Sequence, residues 1–316
     1  MAIQFYNRQK FLSRFRLWKN GEEKIKIGIL KNNSNFEKKS FYVLFAPLFL
    51  IIALWVWFKK KIISNPKSNF YFFDGVSGNC RRIKENVGHW QALDIVYNYQ
   101  KGSENIFADF WYDLRSSQAT RNRLKLIKFL LSKNIEEISK NNNEVRLISI
   151  ASGSAQGVIE TVAQFKERGI LVKAVLIDLD PTAIDHAQKL AEKVGIKDQF
   201  IFVNKTASFI GELEKKFKPH IVEMVGFLEY RPSNKTIKLI RLIYQVLEKD
   251  GVFLVSQIAP NLESFFLKEV INWPMIYRKP NELIKIISSL AGFSPENCCF
   301  YHEPLKIHYI IEAKKT

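Results

Sequence analysis

Residues 145–180, VRLISIASGSAQGVIETVAQFKERGILVKAVLIDLD, decide the fold of this 316-residue chain. An apolar run at 145–151 is short enough to be a buried strand, and the small-residue turn SGSA follows it. Apolar residues then recur at helical spacing over 156–168. A second apolar run, 171–177, leads into Asp178. This pattern predicts a βαβ unit with a tight first turn and an acid at the tip of its second strand.

That turn and that acid together suit a nucleoside cofactor that carries an anionic group. Glycine, serine and alanine let a ligand lie close to the backbone, and the first N–H groups of the next helix favour a carboxylate or a phosphate. Asp178 is placed to accept hydrogen bonds from two ribose hydroxyls. A dinucleotide and S-adenosyl-L-methionine both fit this description. The dinucleotide fingerprint G-x-G-x-x-G is absent, however, because the stretch holds only Gly153 and Gly157.

The turn resembles the glycine motif of class I methyltransferases, in which two hydrophobic residues and an acid precede three glycines at alternate positions. Ser149 stands in place of the acid. Ala151 and Ala155 stand in place of two glycines, and Gly153 keeps the central one. The motif is therefore present in a divergent form.

Three later stretches are similar to the same family. DLDP at 178–181 resembles the acid-x-Ser-Pro step after the second strand, and VLEKDGVFLVS at 246–256 resembles the turn into the fifth strand. AGF at 291–293 matches the step before the terminal hairpin, so the resemblance covers about residues 145–313. It implies an α/β fold with a Rossmann-like seven-stranded methyltransferase sheet, an antiparallel last strand and a helical N-terminal extension.

The resemblance also implies S-adenosyl-L-methionine as the cofactor. Carried over position by position, it implies these cofactor-binding residues: Ser149, Ala151, Ser152, Gly153, Ser154, Asp178, Leu179, Thr206 and Gly226. Asn204 is an alternative to Thr206 for contact with the adenine amino group. In this family the loop after the fourth strand borders the methyl-transfer site, so Glu229 is the candidate general base. The alternative role for Glu229 is an acid at a helix start or on the surface.

The residues give no positive sign of other site chemistries. Three cysteines do not make a disulfide framework, and no Cys/His grouping has the spacing of metal ligands, so no metal site is predicted. The nucleophile elbow G-x-S-x-G is not met around Ser154, which disfavours a hydrolase. In the preceding part of the chain, the apolar cluster at 107–114 is predicted to pack over the cofactor cleft. Residues 121–123, Arg-Asn-Arg, are predicted to lie on a solvated helix face.

The net charge of +17 is concentrated near the N-terminus. Residues 1–67 hold 14 Lys/Arg and 3 Asp/Glu, whereas the remainder holds 34 and 28. Residues 1–40 mix these cations with aromatic residues, and the run QKFLSRFRLW at 9–18 is predicted to form a basic amphipathic helix on a membrane surface. Such an arm suits anionic lipid or nucleic acid. The alternative is a solvated tail.

A hydrophobic segment begins at Phe41, ends at Phe58 and contains no charged residue in its 18 positions. As a helix it would be about 27 Å long, close to the roughly 30 Å of a bilayer's hydrocarbon core. We therefore predict a membrane segment, either a single span or a hairpin that re-enters at Pro47. This segment predicts a membrane-associated protein. Its catalytic domain is expected to face the cytoplasm, where the cofactor is. The alternative is a helix packed on the catalytic domain.

The sequence thus divides into a basic arm (1–40), a hydrophobic membrane segment (41–61), a helical or irregular cap and linker (62–144) and a methyltransferase catalytic domain (145–316). The predicted function is methyl transfer to a small-molecule or lipid-like acceptor. One alternative is a catalytically inactive, membrane-tethered binding protein with the same fold. Another is an RNA methyltransferase that uses the basic arm, although no base-methylation motif supports a nucleic-acid partner.

Overall fold

The structure, a computed structural model, is built on one nine-stranded sheet. It describes residues 12–20, 23–30, 36–38, 46–63, 75, 77–213, 217–288 and 290–316, with the backbone alone for the first two ranges. The strands are β1 (Leu12–Asn20), β2 (Glu23–Leu30), β3 (Glu144–Ile150), β4 (Leu171–Asp178), β5 (Phe200–Asn204), β6 (Ile221–Met224), β7 (Val252–Ile258), β8 (Cys298–His302) and β9 (His308–Lys314). Their order across the sheet is β1-β2-β8-β9-β7-β6-β3-β4-β5.

Helices cover both faces of this sheet. They are α1 (Ala46–Ile62), α2 (Gly78–Glu85), α3 (Trp90–Asn98), α4 (Ile106–Tyr112), α5 (Arg115–Ser139), α6 (Gln156–Glu167), α7 (Pro181–Lys193), α8 (Ser233–Val246), α9 (Ser264–Glu269) and α10 (Pro280–Ile287). Helix α7 begins with Asp180 as N-cap and Pro181 at its first position.

The seven strands from β8 to β5 form the predicted methyltransferase sheet. Strands β3 to β7 pair in parallel, and β9 is antiparallel to both β7 and β8. Strands β3 and β4 lie side by side, which confirms the βαβ unit predicted from 145–180. The predicted fold class is therefore confirmed, and β1 and β2 extend the sheet beyond it.

Alternate residues along the central strands enter two separate cores. Ile148 on β3 packs in one core with Ile240 of α8, while its neighbour Leu147 packs in the other with Ile159 of α6. Side chains on a strand point to opposite faces in turn, so a strand covered on both faces must be apolar throughout. This is why 145–151 is a continuous apolar run.

The basic N-terminal arm differs from its prediction. Residues 12–20 and 23–30 form an antiparallel hairpin rather than an amphipathic helix, and β2 pairs in parallel with β8 through Ile27 and Phe300. A helix was predicted because cations and aromatic residues recur there. The alternation that a strand requires is also present in KIKIGIL, and pairing with the sheet edge satisfies its backbone groups. The rest of the arm lies outside the described residues, except for 36–38.

The hydrophobic segment is helical from Ala46 onward, and 41–45 lie outside the described residues. Within the described ranges, none of the helices is both long and apolar enough to cross a bilayer. Ala53 and Val56 of α1 are buried against α9, and Lys60 Nζ donates to the Glu269 carbonyl at 2.7 Å. One face of α1 therefore packs on the catalytic domain, as the alternative interpretation expected. The spanning prediction has no support in the structure.

The cap between α1 and the catalytic sheet is more regular than its sequence indicated. Helix α5 runs over 115–139, so one long helix occupies part of the range 62–144 that was predicted as a helical or irregular cap and linker. Its buried face carries Leu126, Leu130 and Ile135 onto the sheet at β3, β7 and β9, because leucine and isoleucine recur there at helical spacing. This long helix fixes the cap to the sheet beside the βαβ turn.

Candidate active site

Three alternate residues of the turn between β3 and α6 have a left-handed backbone conformation. Ala151, Gly153 and Ala155 have φ values of 51°, 53° and 50°. Glycine adopts this region freely, whereas alanine does so at a cost of roughly 1–2 kcal/mol. The turn is held by Ala155 N–H, which donates to the Ser152 carbonyl at 2.8 Å, and by Ser152 N–H, which donates to the Ile177 carbonyl at 3.1 Å. The two alanines thus adopt the backbone geometry that explains the glycines of the family pattern.

Asp178 links this turn to the start of α7. Its Oδ2 accepts the Gly153 N–H at 2.8 Å, and its Oδ1 accepts the Asp180 N–H at 2.9 Å. A carboxylate has about four lone-pair directions, so each oxygen can still accept a further hydrogen bond. The arrangement fixes the carboxylate at the tip of β4 with acceptor capacity facing the cleft, as a ribose diol requires.

Ser149 and Glu223 face each other on neighbouring parallel strands. They are paired in register across β3 and β6, and Ser149 Oγ donates to Glu223 Oε2 at 2.5 Å. Both residues are buried. Burial raises the pKa of Glu223 to about 7, against the lowering effects of the Ser149 hydrogen bond and of Arg123. The acid that the family pattern places at position 149 is therefore found one strand away.

A cleft of about 340 Å³ lies over the carboxyl ends of β3, β4 and β6, where α/β sheets bind ligands. It brings together these predicted residues: Ser149, Ala151, Ser152, Gly153, Ser154, Asp178 and Gly226. Leu179 and Thr206 are not among the described residues that line it. Leu179 is 68% exposed, and Thr206 Oγ1 lies 2.8 Å from Ser208 Oγ. Asn204 Nδ2 donates to the Asp178 and Leu179 carbonyls, so it supports the acid rather than lining the cleft.

The outer wall of the cleft comes from Gly88 to Tyr97, a part of the cap whose sequence gave little signal. Trp90 Nε1 donates to Thr182 Oγ1 at 2.9 Å, and the Trp90 ring lies 4.2 Å from that of His186. Both contacts bind the start of α3 to α7 across the cleft. The 107–114 cluster, predicted to fill this role, instead packs Trp111 against α9.

A second, smaller cavity of about 60 Å³ lies behind the cleft, and we call it the inner cavity. It shares Leu93, Gly226 and Tyr230 with the cleft. Its apolar residues come from α3, β7, α9 and the segment after α9, and α5 adds Ser116, Ser117, Thr120 and Arg123. Its charged groups are Arg123 and Glu229, whose Nη1 and Oε1 atoms lie 3.5 Å apart.

Glu229 therefore lines the inner cavity next to the cleft, although it does not line the cleft itself. Its side chain is 2% exposed, and Arg123 is 4% exposed. Burial raises the pKa of Glu229, while Arg123 opposes this rise. The alternative that Glu229 is a surface acid is wrong. The short 3₁₀ turn Leu228–Tyr230 holds the residue between the two cavities.

The predicted solvated face at 121–123 is also wrong. Arg121 forms a two-pronged ion pair with Glu37, at 2.6 Å for Nη2 to Oε2. Asn122 is fully buried and donates to the Glu37 carbonyl at 2.8 Å. Arg123 Nη2 donates to Tyr97 Oη at 3.0 Å. Each partner lies far away in the sequence, so no local pattern could reveal that these polar residues are enclosed.

S-adenosylmethionine fits the cleft by the chemistry of its residues. Asp178 would bind the ribose hydroxyls, and the N–H groups at the start of α6 would meet the carboxylate of the amino-acid portion. Ser152 Oγ is buried without a hydrogen-bond partner in the described part of the chain, so it has donor capacity for a ligand. A Cβ at Gly153 would lie 3.5 Å from Trp90 Cβ and narrow the cleft. When bound, the cofactor's sulfonium supplies an electrophilic methyl group.

A comparison with protein families matches the part of the chain that contains the cleft. A family model described as "Putative methyltransferase" matches residues 86–293, which include the cleft wall, the βαβ turn and Glu229. No curated protein matches the sequence.

Solved structures give the same fold at low identity. A possible exported protein from Bordetella parapertussis has a TM-score of 0.65 and 17% identity, over 85% of this chain and 96% of that one. Magnesium protoporphyrin IX methyltransferase from Synechocystis PCC 6803, solved with bound S-adenosylhomocysteine, has a TM-score of 0.52 and 14% identity, over 78% and 96%. The CMeT domain of the citrinin polyketide synthase has a TM-score of 0.52 and 12% identity, over 89% and 82%.

The family model covers well over half of the chain, and the sheet order, the βαβ turn and the cleft all agree with it. The chain therefore belongs to this methyltransferase family, as a class I enzyme whose cofactor is S-adenosylmethionine.

Proposed function

We propose that this enzyme methylates a hydroxyl or amine of a small apolar molecule that binds in the inner cavity. The observation that carries this proposal is the position of the inner cavity, which adjoins the cofactor cleft at Gly226 and Tyr230. Its apolar lining, which includes Val96, Ile258 and Leu267, excludes a strongly charged acceptor. Glu229 is the acidic side chain that lines it.

Glu229 acts as the general base in this proposal. When bound, S-adenosylmethionine would supply its methyl group to the acceptor atom and leave as S-adenosylhomocysteine, and Glu229 would take the proton that the acceptor atom releases. Because burial raises the pKa of Glu229, its carboxylate takes a proton more readily than an exposed glutamate. The enclosing walls would hold the acceptor atom in line with the methyl group, and such positioning can contribute about 7–11 kcal/mol.

The polar end of the inner cavity has buried atoms that can still form hydrogen bonds with an acceptor. Arg123 Nε and Glu229 Oε2 are buried without hydrogen-bond partners in the described part of the chain. A hydroxyl or amine bound between them could donate to Glu229 Oε2 while Arg123 donates to an acceptor oxygen. A buried polar atom that lacks a hydrogen-bond partner costs free energy. A ligand that supplies the missing partners would therefore bind more tightly and in a fixed orientation.

Transfer of labelled methyl groups tests the acceptor class. The full chain would be incubated with methyl-labelled S-adenosylmethionine and separated fractions of a cell extract. We expect the label in a small molecule that partitions into organic solvent. Label in RNA would favour the alternative of an RNA methyltransferase, and no label in any fraction would favour an inactive binding protein.

Substitution of Glu229 tests the base. We expect Glu229→Gln to lower kcat about 10²- to 10⁴-fold, the usual range for loss of a general base, without changing the affinity for S-adenosylmethionine. Glu212→Gln makes the same chemical change at an exposed position and is the matched control. Equal kcat values for the two variants would remove Glu229 from the mechanism.

We also propose that α1 binds the surface of an anionic membrane, with the catalytic domain on the cytoplasmic side. The face of α1 opposite its packed side is apolar and exposed, with Leu50, Ile51 and Phe58 between 53% and 63% exposed. Lys59 and Lys61 follow at its C-terminal end, where they would meet lipid phosphates. Apolar side chains bordered by lysines are typical of helices that lie in the membrane interface. An apolar acceptor dissolved in that membrane would then reach the enzyme without crossing water.

A further inference from the structure

Glu223 is a buried acid that the proposed chemistry leaves unused. It lines the cofactor cleft and is 6% exposed. Its side-chain partner in the described part of the chain is the Ser149 hydroxyl, a neutral group. Burying a carboxylate is costly, and burial raises the pKa of Glu223 even though Arg123 lowers it. A site that keeps such a group at its floor is suited to a ligand that brings a positive charge.

The sheet order defines which part of the cofactor lies above Glu223. Asp178 is at the carboxyl end of β4, and Glu223 is at that of β6, with β3 between them. Two strand spacings amount to about 10 Å. With the ribose at Asp178, the cofactor must extend across Ser149 toward β6, and the part that extends is the amino-acid chain. Its carboxylate is accounted for by the start of α6, which leaves the ammonium group.

We infer that Glu223 binds the α-ammonium group of the cofactor, in the role left open by the missing acid at position 149. Ser149 then acts as a positioning residue, because its hydroxyl donates to Glu223 Oε2 and a carboxylate has lone pairs for further hydrogen bonds. Relative to the family pattern, the carboxylate is at position 223 instead of position 149. These two positions pair in register across β6 and β3. This inference rests on the cofactor and not on the proposed acceptor, so it stands or falls separately from Glu229.

Three ligands can distinguish binding of Glu223 to the cofactor's ammonium group from binding to its other cation, the sulfonium. S-adenosylmethionine carries both, S-adenosylhomocysteine carries only the ammonium, and 5′-methylthioadenosine carries neither. Glu223→Gln keeps the shape and can still accept the Ser149 hydrogen bond. We expect calorimetry to show about 10- to 100-fold weaker binding of the first two ligands, the usual effect of losing a charge-assisted hydrogen bond. Binding of 5′-methylthioadenosine should be unchanged.

Each other outcome of the titrations contradicts the inference. A loss limited to S-adenosylmethionine would assign Glu223 to the sulfonium, and equal losses for all three ligands would indicate a general change of the cleft. Unchanged affinities would leave Glu223 without a ligand. Glu212→Gln again serves as the control at an exposed site. None of these readouts depends on methyl transfer, so they hold even if the acceptor proposal fails.

A measurement on the unaltered chain guards against a variant that misfolds. At pH 6 Glu223 holds a proton, because its pKa is about 7, and contact with an ammonium group should expel it. The other ionisable groups that line the cleft are Asp178, Asp180, His89, Tyr97 and Tyr230, and Arg123 of α5 lowers the pKa of Glu223. We expect S-adenosylhomocysteine to release up to about one proton on binding, measured as a dependence of the binding enthalpy on buffer. 5′-Methylthioadenosine lacks the ammonium group and should release none; equal release by both ligands would contradict the inference.

Discussion

Arg123 of α5 and Glu229 of the turn after β6 form an ion pair at 3.5 Å, and both side chains are almost completely buried. The pair ties the N-terminal cap to the catalytic sheet at the inner cavity. Its geometry is loose, since Arg123 Nε and Glu229 Oε2 have no hydrogen-bond partners in the described part of the chain. A buried ion pair with unsatisfied atoms contributes little net stability to the fold. We therefore interpret this pair mainly as part of a binding site.

Removal of one member of this pair should cost more than removal of both. We expect Arg123→Met to lower the free energy of unfolding by about 3–5 kcal/mol, because it leaves Glu229 buried without its ion-pair partner. Arg123→Met combined with Glu229→Gln should recover part of that loss. Arg168→Met breaks a more exposed pair with Glu136 and should cost less than about 1 kcal/mol. Urea denaturation measures all three, and a double variant less stable than Arg123→Met would contradict the expectation.

The pH dependence of stability should reveal the buried acid on β6. The pKa of Glu223 is about 7 in the folded chain, against 4.5 for an ordinary glutamate. Between these values the unfolded chain has lost the proton that the folded chain keeps, so stability falls as pH rises, by about 3 kcal/mol in all. Glu223→Gln does not titrate. We therefore expect the variant to gain stability relative to the unaltered chain at pH 8.5 but not at pH 4.5; an equal difference at both would contradict this.

Elements that depend only on neighbouring residues could be predicted from the sequence. The βαβ unit follows from apolar runs and a small-residue turn, and Asp178 follows from its place at a strand tip. Both need only neighbours in the chain. Ser149 and Glu223 are separated by 74 positions, and Arg123 and Glu229 by 106. Their roles depend on which strands pair and which helix crosses them, and no local pattern contains that information.

Sequence patterns misled where one composition suits two structures. Residues 12–30 are basic and aromatic enough for an amphipathic helix, yet they form two strands because the edge strand β8 offers backbone partners. The apolar segment around α1 is long enough for a membrane, yet its small and branched residues, Ala53 and Val56, pack on α9. In both cases tertiary contacts decided between structures that the pattern allowed.

Gly226 should not tolerate a side chain. Its φ is +77°, and an added Cβ would lie 3.2 Å from Arg123 Nη2, which is held in place by Tyr97. We expect Gly226→Ala to lower the free energy of unfolding by about 1–3 kcal/mol through backbone strain and displacement of Arg123. Gly211→Ala is the control, because its Cβ would make only an ordinary contact at 3.7 Å with Leu242. Thermal unfolding compares them, and similar midpoints would contradict the strain at Gly226.

Asp178 should affect every ligand that carries a ribose. We expect Asp178→Ala to weaken S-adenosylmethionine, S-adenosylhomocysteine and 5′-methylthioadenosine together, by about 10- to 100-fold each. Asp185→Ala removes an exposed acid from α7 and should change none of them. This pattern differs from that of Glu223→Gln, which spares the last ligand. Retained affinity for 5′-methylthioadenosine in Asp178→Ala would mean that the ribose does not bind at this acid.

The exposed face of α1 should govern membrane binding by the full chain. Two contributions can be separated with vesicles of neutral lipid and vesicles that contain phosphatidylserine. We expect Ile51→Gln combined with Phe58→Gln to reduce co-sedimentation with both, because apolar area enters the interface in either case. Lys59→Gln combined with Lys61→Gln should weaken binding only to the anionic vesicles, by roughly 30-fold at about 1 kcal/mol for each lysine.

The control and the salt dependence make this test decisive. Lys140→Gln combined with Lys189→Gln removes the same charge from exposed sites outside α1 and should lower binding to the anionic vesicles much less. Added salt should erase the difference between the two lysine variants, because screening weakens exposed charges. If all variants bind the anionic vesicles equally well, α1 does not lie on the membrane. If only the lysine-dependent part exists, the apolar face contacts something other than lipid, and an apolar acceptor would have to reach the inner cavity from water.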